Sequence, residues 1–179
     1  APIHKASIMS KEFPFPGHTN YLSRELNGTS LMLLVSDNLR VGLLTDHVPL
    51  DQITSVISEK LIFEKARTMK HSLQQDFGIE HPKIALLGVD PHAGDEGAIG
   101  TIDKDLLSPC VVKLQSLGIH IEGPFAADGF FGSGLYKDFD GILASYHDQG
   151  LVPFKLLSFG NGVNFTAGLN KVRVSPDHG

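Results

Sequence analysis

Apolar residues in this chain fall into short unbroken runs and one long helical stripe, and these two patterns lay out most of its secondary structure. Residues 31–35 and 39–44 are runs of strand length separated by Ser36-Asp37-Asn38, which favour a turn, so a hairpin is predicted. The second run leads into Thr45-Asp46-His47-Val48-Pro49-Leu50, where Pro49 stops a ladder and Asp51 is expected to cap a short helical turn. From 58 to 77, Leu61, Ile62, Ala66, Met69, Leu73 and Phe77 recur at threes and fours among charged residues. That spacing predicts an amphipathic helix, with Ser58 as its N-cap and Gly78 as its stop.

Residues 83–89 read as a strand that ends in the glycine-containing loop 90–100, a weak motif by itself. Residues 101–117 are predicted helical, with Pro109 bending or delaying the helix, Cys110 in the core and Gly118 as the stop. A short strand is predicted at 119–123. Residues 124–134 follow as a loop or broken helix anchored by Phe125, Phe130 and Phe131, where Asp128 is either a turn former or a site residue. The run 141–145 has the content of a buried strand, 149–159 a helix despite Pro153, and 163–166 and 171–174 are further strands. Pro14 and Pro16 exclude regular helix from their part of the opening twenty residues. With no repeat, low-complexity tract or linker, residues 1–179 are expected to form a single α/β unit with crossover connections.

Composition narrows the class. Fifteen Lys and Arg against 20 Asp and Glu leave a net charge of −5, so no general attraction for nucleic acid is expected, and any anion site must be local. Mean hydropathy is +0.02 and no apolar run approaches the roughly 20 residues of a membrane-spanning helix. Cys110 is the only cysteine, which excludes an intrachain disulfide and fits a reducing compartment. The opening Ala1-Pro2-Ile3 and the closing Asp177-His178-Gly179, which reads as the start of a loop, give the expectation of a fragment.

The chemistry gathers at histidines. His47, His92 and His147 each follow an apolar strand, so neighbouring parallel strands would bring them to one sheet edge, where open α/β sheets hold their ligands. Three neutral imidazoles would make a divalent metal site with room left for substrate. The alternative for each is a histidine that merely caps a strand end. His71 and His81 are read as solvent-facing and His120 as structural, while Lys155, Lys171 and Arg173 with Gly160-Asn161-Gly162 form either a positive pocket for phosphate or carboxylate, or plain surface charge.

Taken together, Pro16-Gly17-His18-Thr19, Asp90-Pro91-His92-Ala93-Gly94, Tyr146-His147-Asp148-Gln149-Gly150, Gly162-Val163-Asn164 and Asp177-His178-Gly179 resemble the PdxA family, 4-hydroxythreonine-4-phosphate dehydrogenases of vitamin B6 (pyridoxal 5′-phosphate) biosynthesis, from end to end of the chain. The resemblance implies a three-layer α/β fold with helices on both faces of the sheet, like isocitrate and isopropylmalate dehydrogenases and incomplete here at both ends. It also implies a cytoplasmic homodimer that shares its metal site, with the chain one part of a longer two-domain dehydrogenase.

By the same resemblance His47, His92 and His147 match ligands of a divalent metal (Zn, Mg or Co), and His18, Thr19, Lys155, Asn164 and Arg173 match positions that bind the phosphorylated substrate. His178 stands near the NAD site, and Asp148 and Lys155 are the catalytic candidates, Asp148 for orienting a ligand or relaying a proton. The implied reaction oxidises 4-phosphooxy-L-threonine with NAD and then decarboxylates it to 3-amino-2-oxopropyl phosphate. Two departures, Asp90 for a usual Asn and Thr101-Ile102-Asp103 for a more acidic segment, admit a paralogue acting on a threonate or erythronate phosphate. Two further alternatives are a fragment that binds metal and dimerises without activity, and a metal-dependent hydrolase or lyase, which the lack of any Gly-x-Gly-x-x-Gly fingerprint admits.

Overall fold

The structure is a computed structural model and describes residues 30–158, 160–168 and 173–176. Among the described residues seven strands form one sheet in the order β4-β3-β5-β2-β1-β6-β7. They are β1 (Leu31–Ser36), β2 (Leu39–Leu43), β3 (Ile84–Leu87), β4 (Ile121–Phe125), β5 (Gly141–Ala144), β6 (Val163–Ala167) and β7 (Arg173–Pro176). β1 and β2 make the predicted hairpin, Leu34 opposite Val41. β2, β5, β3 and β4 are mutually parallel, whereas β6 runs antiparallel to β1 and β7 antiparallel to β6. The expected crossover pattern therefore holds for the parallel half only. The other half is built from antiparallel neighbours, which need no helix between them.

Helices cover both faces. Ile84 and Leu86 point into one core with Ile62, Ala66, Met69 and Leu73 of α2 (Glu59–Gln75) and Cys110, Val111 and Leu114 of α3 (Ser108–Ser116). Ala85 and Leu87, one residue out of phase, point into the other with Phe130 of α4 (Ala127–Gly132) and Leu151 and Phe154 of α5 (His147–Ser158). The alternation is the strand period acting on strands that are apolar on both sides, and it gives three layers.

Local chemistry explains the boundaries. Ser58 caps α2 by accepting from the Leu61 amide at 3.3 Å, and Gly78 takes a φ of 69° after its last turn. Asp51 does not cap: it lies inside the single 3₁₀ turn Leu50–Gln52 that precedes α1 (Ile53–Val56), with Pro49 in the cap position. Pro109 delays the α-helix, one of the two expected outcomes: α3 begins only at Ser108, with Pro109 in its first turn where a missing N–H costs little, after a π turn at Asp103–Leu107. The strand expected at 119–123 lies two residues later and runs through Pro124. Among the described residues it pairs only with β3 at the sheet edge, where a lost donor harms no ladder.

Candidate active site

The sheet order sets β3, β5 and β2 side by side and parallel, so their C-terminal ends form one edge. His92 lies beyond the end of β3, His147 opens α5 three residues past β5, and His47 follows β2. The expected convergence is thus present at the level of strands. In the side chains it is closest for two of the three: the rings of His47 and His147 lie 5.5 Å apart, centroid to centroid, tilted by 46°.

Each of these two histidines stands beside a carboxylate. His147 Nδ1 lies 2.7 Å from Asp148 Oδ1, which holds the proton on Nδ1 and leaves the Nε2 lone pair for a ligand. His47 Nδ1 is 3.9 Å from Asp46 Oδ2, and its backbone amide donates to Asp46 Oδ1 at 2.7 Å. The His47 imidazole is the main cause that holds the Asp46 carboxyl down at about 2, with the His47 amide and the Lys65 ammonium helping and burial opposing. Lys65 itself is half-buried on α2, donates to the Ser30 carbonyl at 2.6 Å, and is pushed down by desolvation. Glycine at 150 lets α5 start this close to the sheet, since a Cβ there would stand 2.9 Å from Leu43 and Val41.

His92 occupies an unusual backbone. From His92 to Glu96 five consecutive residues have φ between 44° and 79°, a left-handed turn that costs about 1–2 kcal/mol for each residue other than glycine. Asp103 anchors its base. Almost fully buried, it accepts the Val89 amide at 2.8 Å on Oδ1 and the Asp90 amide at 2.9 Å on Oδ2. Burial pushes the Asp103 carboxyl up, against the pull of those two amides and with Asp90 adding to the rise. Backbone bonds from Ala93 to Asp90, from Ala98 to Asp95 and from Ile99 to Gly94, at 3.0, 3.0 and 3.1 Å, close the loop.

Two cavities meet at Tyr146. One of about 280 Å³ holds Asp46, His47, His147 and Asp148; the other, of about 310 Å³, holds Asp90, His92, Asp128 and Gln149. Among the described residues no three His, Cys, Asp or Glu side chains stand close enough to hold one ion. The donor set of the first cavity nevertheless suits a divalent metal: two imidazoles lie 5.5 Å apart, and the Asp148 carboxylate steadies Nδ1 of His147.

The other predicted residues are placed unevenly. Lys155 is half-buried on α5, eight residues and about 12 Å along the helix from His147, and it lines neither histidine cavity. Asn164 lies mid-sheet on β6, opposite Leu34 and Ser175, and Arg173 pairs with Thr166 on β7. His18, Thr19, Lys171 and His178 lie outside the described residues. His71 and His81 are exposed as expected; His120, read as a structural residue of a strand, is exposed too and stands just before β4, where it reaches Glu122 at 3.5 Å. Asp46, Asp103 and Gln149 escaped the sequence reading as site residues. Asp46 mirrors Asp148 beside a strand-end histidine, which was a readable signal; Asp103 gave none.

The model of the family described as "Pyridoxal phosphate biosynthetic protein PdxA" matches residues 1–179. The chain is 51% identical to a 4-hydroxythreonine-4-phosphate dehydrogenase of Bacteroides thetaiotaomicron, covering 100% of itself and 50% of that protein. It is 45% identical to the one of Prosthecochloris aestuarii, covering 100% and 54%. The 1.25 Å crystal structure of 4-hydroxythreonine-4-phosphate dehydrogenase from Klebsiella pneumoniae superposes with a TM-score of 0.86 at 33% identity, over 100% of this chain and 54% of that one. A terephthalate 1,2-cis-dihydrodiol dehydrogenase from Burkholderia xenovorans LB400 gives 0.79 at 29% identity, over 87% and 50%. The chain spans about half the length of the curated relatives it matches. By the match over its full length, the chain belongs to the PdxA family.

Proposed function

We propose that this chain carries the metal-binding half of an NAD-dependent dehydrogenase that oxidises the CH–OH group of 4-phosphooxy-L-threonine, with decarboxylation to 3-amino-2-oxopropyl phosphate. The observation that carries the reading is the facing pair His47 and His147, each beside its own carboxylate, at the shared edge of strands whose third member leads to His92. When bound, a divalent ion supplies a Lewis acid for the hydroxyl under oxidation and NAD supplies the hydride acceptor.

The chain's own residues have definite tasks in this reading. His47, His92 and His147 hold the ion; Asp148 keeps the proton on His147 Nδ1, so that Nε2 is the ligand atom. Because Asp46 stays ionised, it favours the same arrangement at His47. Lys155, Asn164 and Arg173, with His18 and Thr19, take the phosphate and carboxylate of the substrate. The same reading assigns a homodimer that shares the metal site and works in the cytoplasm.

The test is NADH formation by this chain with 4-phosphooxy-L-threonine, threonate and erythronate phosphates and unphosphorylated 4-hydroxythreonine, with and without a chelator. Turnover of 4-phosphooxy-L-threonine that the chelator abolishes supports the reading, and preference for an unphosphorylated diol contradicts it. Because the chain spans half the length of its relatives, a second reading stands beside the first: a unit that binds metal and dimerises but does not turn over substrate. Metal binding without NADH formation favours that reading.

A further inference from the structure

Spontaneous covalent change in a polypeptide favours places where asparagine or aspartate precedes glycine, because a glycine amide has no Cβ to hold it away from the neighbouring side-chain carbonyl. Among the described residues three such pairs occur: Asp128-Gly129, Asp140-Gly141 and Asn161-Gly162. The fold treats them differently. Asp128 and Gly129 lie within α4, whose helical backbone fixes the rotation that attack on the side chain requires. Asp140 Oδ2 accepts the Lys83 amide at 2.8 Å, and the Gly141 amide donates to the Lys83 carbonyl at 3.3 Å at the buried start of β5, so carboxyl and nucleophile are both held.

Asn161-Gly162 has neither restraint. The pair lies in the bend between α5 and β6, where the Asn161 amide donates to the Ser158 carbonyl at 2.9 Å. Asn161 is exposed, and among the described residues neither its carboxamide nor the Gly162 amide has a hydrogen-bond partner. It lines an open cavity of about 520 Å³ together with Asp37, Asn38 and Lys137, so water reaches it. Asn38 is the contrast at the same cavity: it is exposed too, but the residue after it is Leu39, buried and paired with Ser36 in the hairpin.

We propose that Asn161 is a modification site of the folded protein, where the side-chain amide is lost to give aspartate and isoaspartate with water as co-reactant. The Gly162 backbone nitrogen attacks Asn161 Cγ. A bond forms between them, the Cγ–Nδ2 bond breaks, and the side-chain nitrogen leaves as ammonia with the proton of the Gly162 amide. Water then opens the cyclic imide: addition at Cγ restores the backbone with aspartate, addition at the backbone carbonyl gives isoaspartate, and nothing is oxidised or reduced. Either product sets a new carboxylate at the cavity that holds Asp37 and Lys137, and isoaspartate adds a methylene to the backbone three residues before Asn164. The proposal stands apart from the metal site and from the choice of substrate.

The test is ageing of the whole chain in mildly alkaline buffer at body temperature, folded and in parallel in urea. Peptide mass mapping with fragment spectra locates the change, and an isoaspartyl methyltransferase with labelled S-adenosylmethionine counts isoaspartate. In the folded chain Asn161 should gain one dalton and one negative charge and become a methyl acceptor, at a rate close to that in urea, while Asn38 stays unchanged. Asn27-Gly28, outside the described residues, is read separately on its own peptide. Asn161→Gln should abolish the change at this position, and Gly162→Ala should slow it to the rate of Asn38. An Asn161 that converts in urea but stays intact in the folded chain overturns the proposal, because the fold then protects it. So does an Asn161 that stays intact under both conditions, or a Gly162→Ala chain that ages as fast as the parent.

Discussion

The imidazoles of His47 and His147 face each other 5.5 Å apart, ring centre to ring centre, although a hundred residues separate them in the chain. Neighbouring parallel strands bring them together, and the carboxylate of Asp148 fixes the proton of one ring. Asp148→Asn replaces that acceptor with a neutral amide and should weaken zinc binding by about tenfold, the low end for an outer partner because the Asp148 side chain is 78% exposed. Isothermal titration checks it. An affinity equal to the parent's would mean that Asp148 does not orient His147.

Asp46 gives a stability test in acid. Its carboxyl is held at about 2 against an ordinary 3.8, so the folded chain binds its proton less readily than the unfolded chain does. The associated stability is therefore present above about pH 4 and is lost as pH falls through about 2, with a size of about 2 kcal/mol. With metal removed by a chelator, Asp46→Asn should be less stable than the parent near neutrality, and urea midpoints should converge as pH falls through that window. A gap that stays constant across it would contradict the assignment.

The left-handed turn at His92 hangs on Asp103. Asp103→Ala leaves the half-buried Val89 and Asp90 amides without their acceptor and should cost about 2–4 kcal/mol in urea unfolding, with Asp103→Asn intermediate because it keeps one acceptor oxygen. Gly94→Ala should cost about 1–3 kcal/mol, since its φ is 79° and a Cβ would collide with the Gly100 carbonyl. If all three variants unfold with the parent, the turn is held by something else.

Much of this architecture was legible before any coordinates. The stripe Ile62, Ala66, Met69 and Leu73 predicts α2 and its buried face, and Ser58 marks its start, because helical period and capping are local properties. The placement of His47, His92 and His147 at strand ends was legible for the same reason. What sequence did not disclose depends on partners far away in the chain. Pro124 could join a strand only because β4 lies at the sheet edge, and β6 pairs antiparallel with β1 and with β7 by a register that no local pattern states. Asp103 looks like one more acidic residue in a helix start until the amides of Val89 and Asp90 are seen to converge on it. The five left-handed residues include His92, Ala93, Asp95 and Glu96, none of which signals that conformation by itself.

The central claim is that His92 joins His47 and His147 on one ion. Zinc content and affinity of the metal-loaded chain, measured beside His47→Ala, His92→Ala and His147→Ala, test it most directly. The account predicts one ion per chain in the parent and a loss in each variant, His92→Ala included, larger than the roughly 10- to 100-fold that an outer partner costs. A His92→Ala chain that holds zinc as tightly as the parent would contradict it, and would leave His47 and His147 as a pair that binds, if at all, without the third strand.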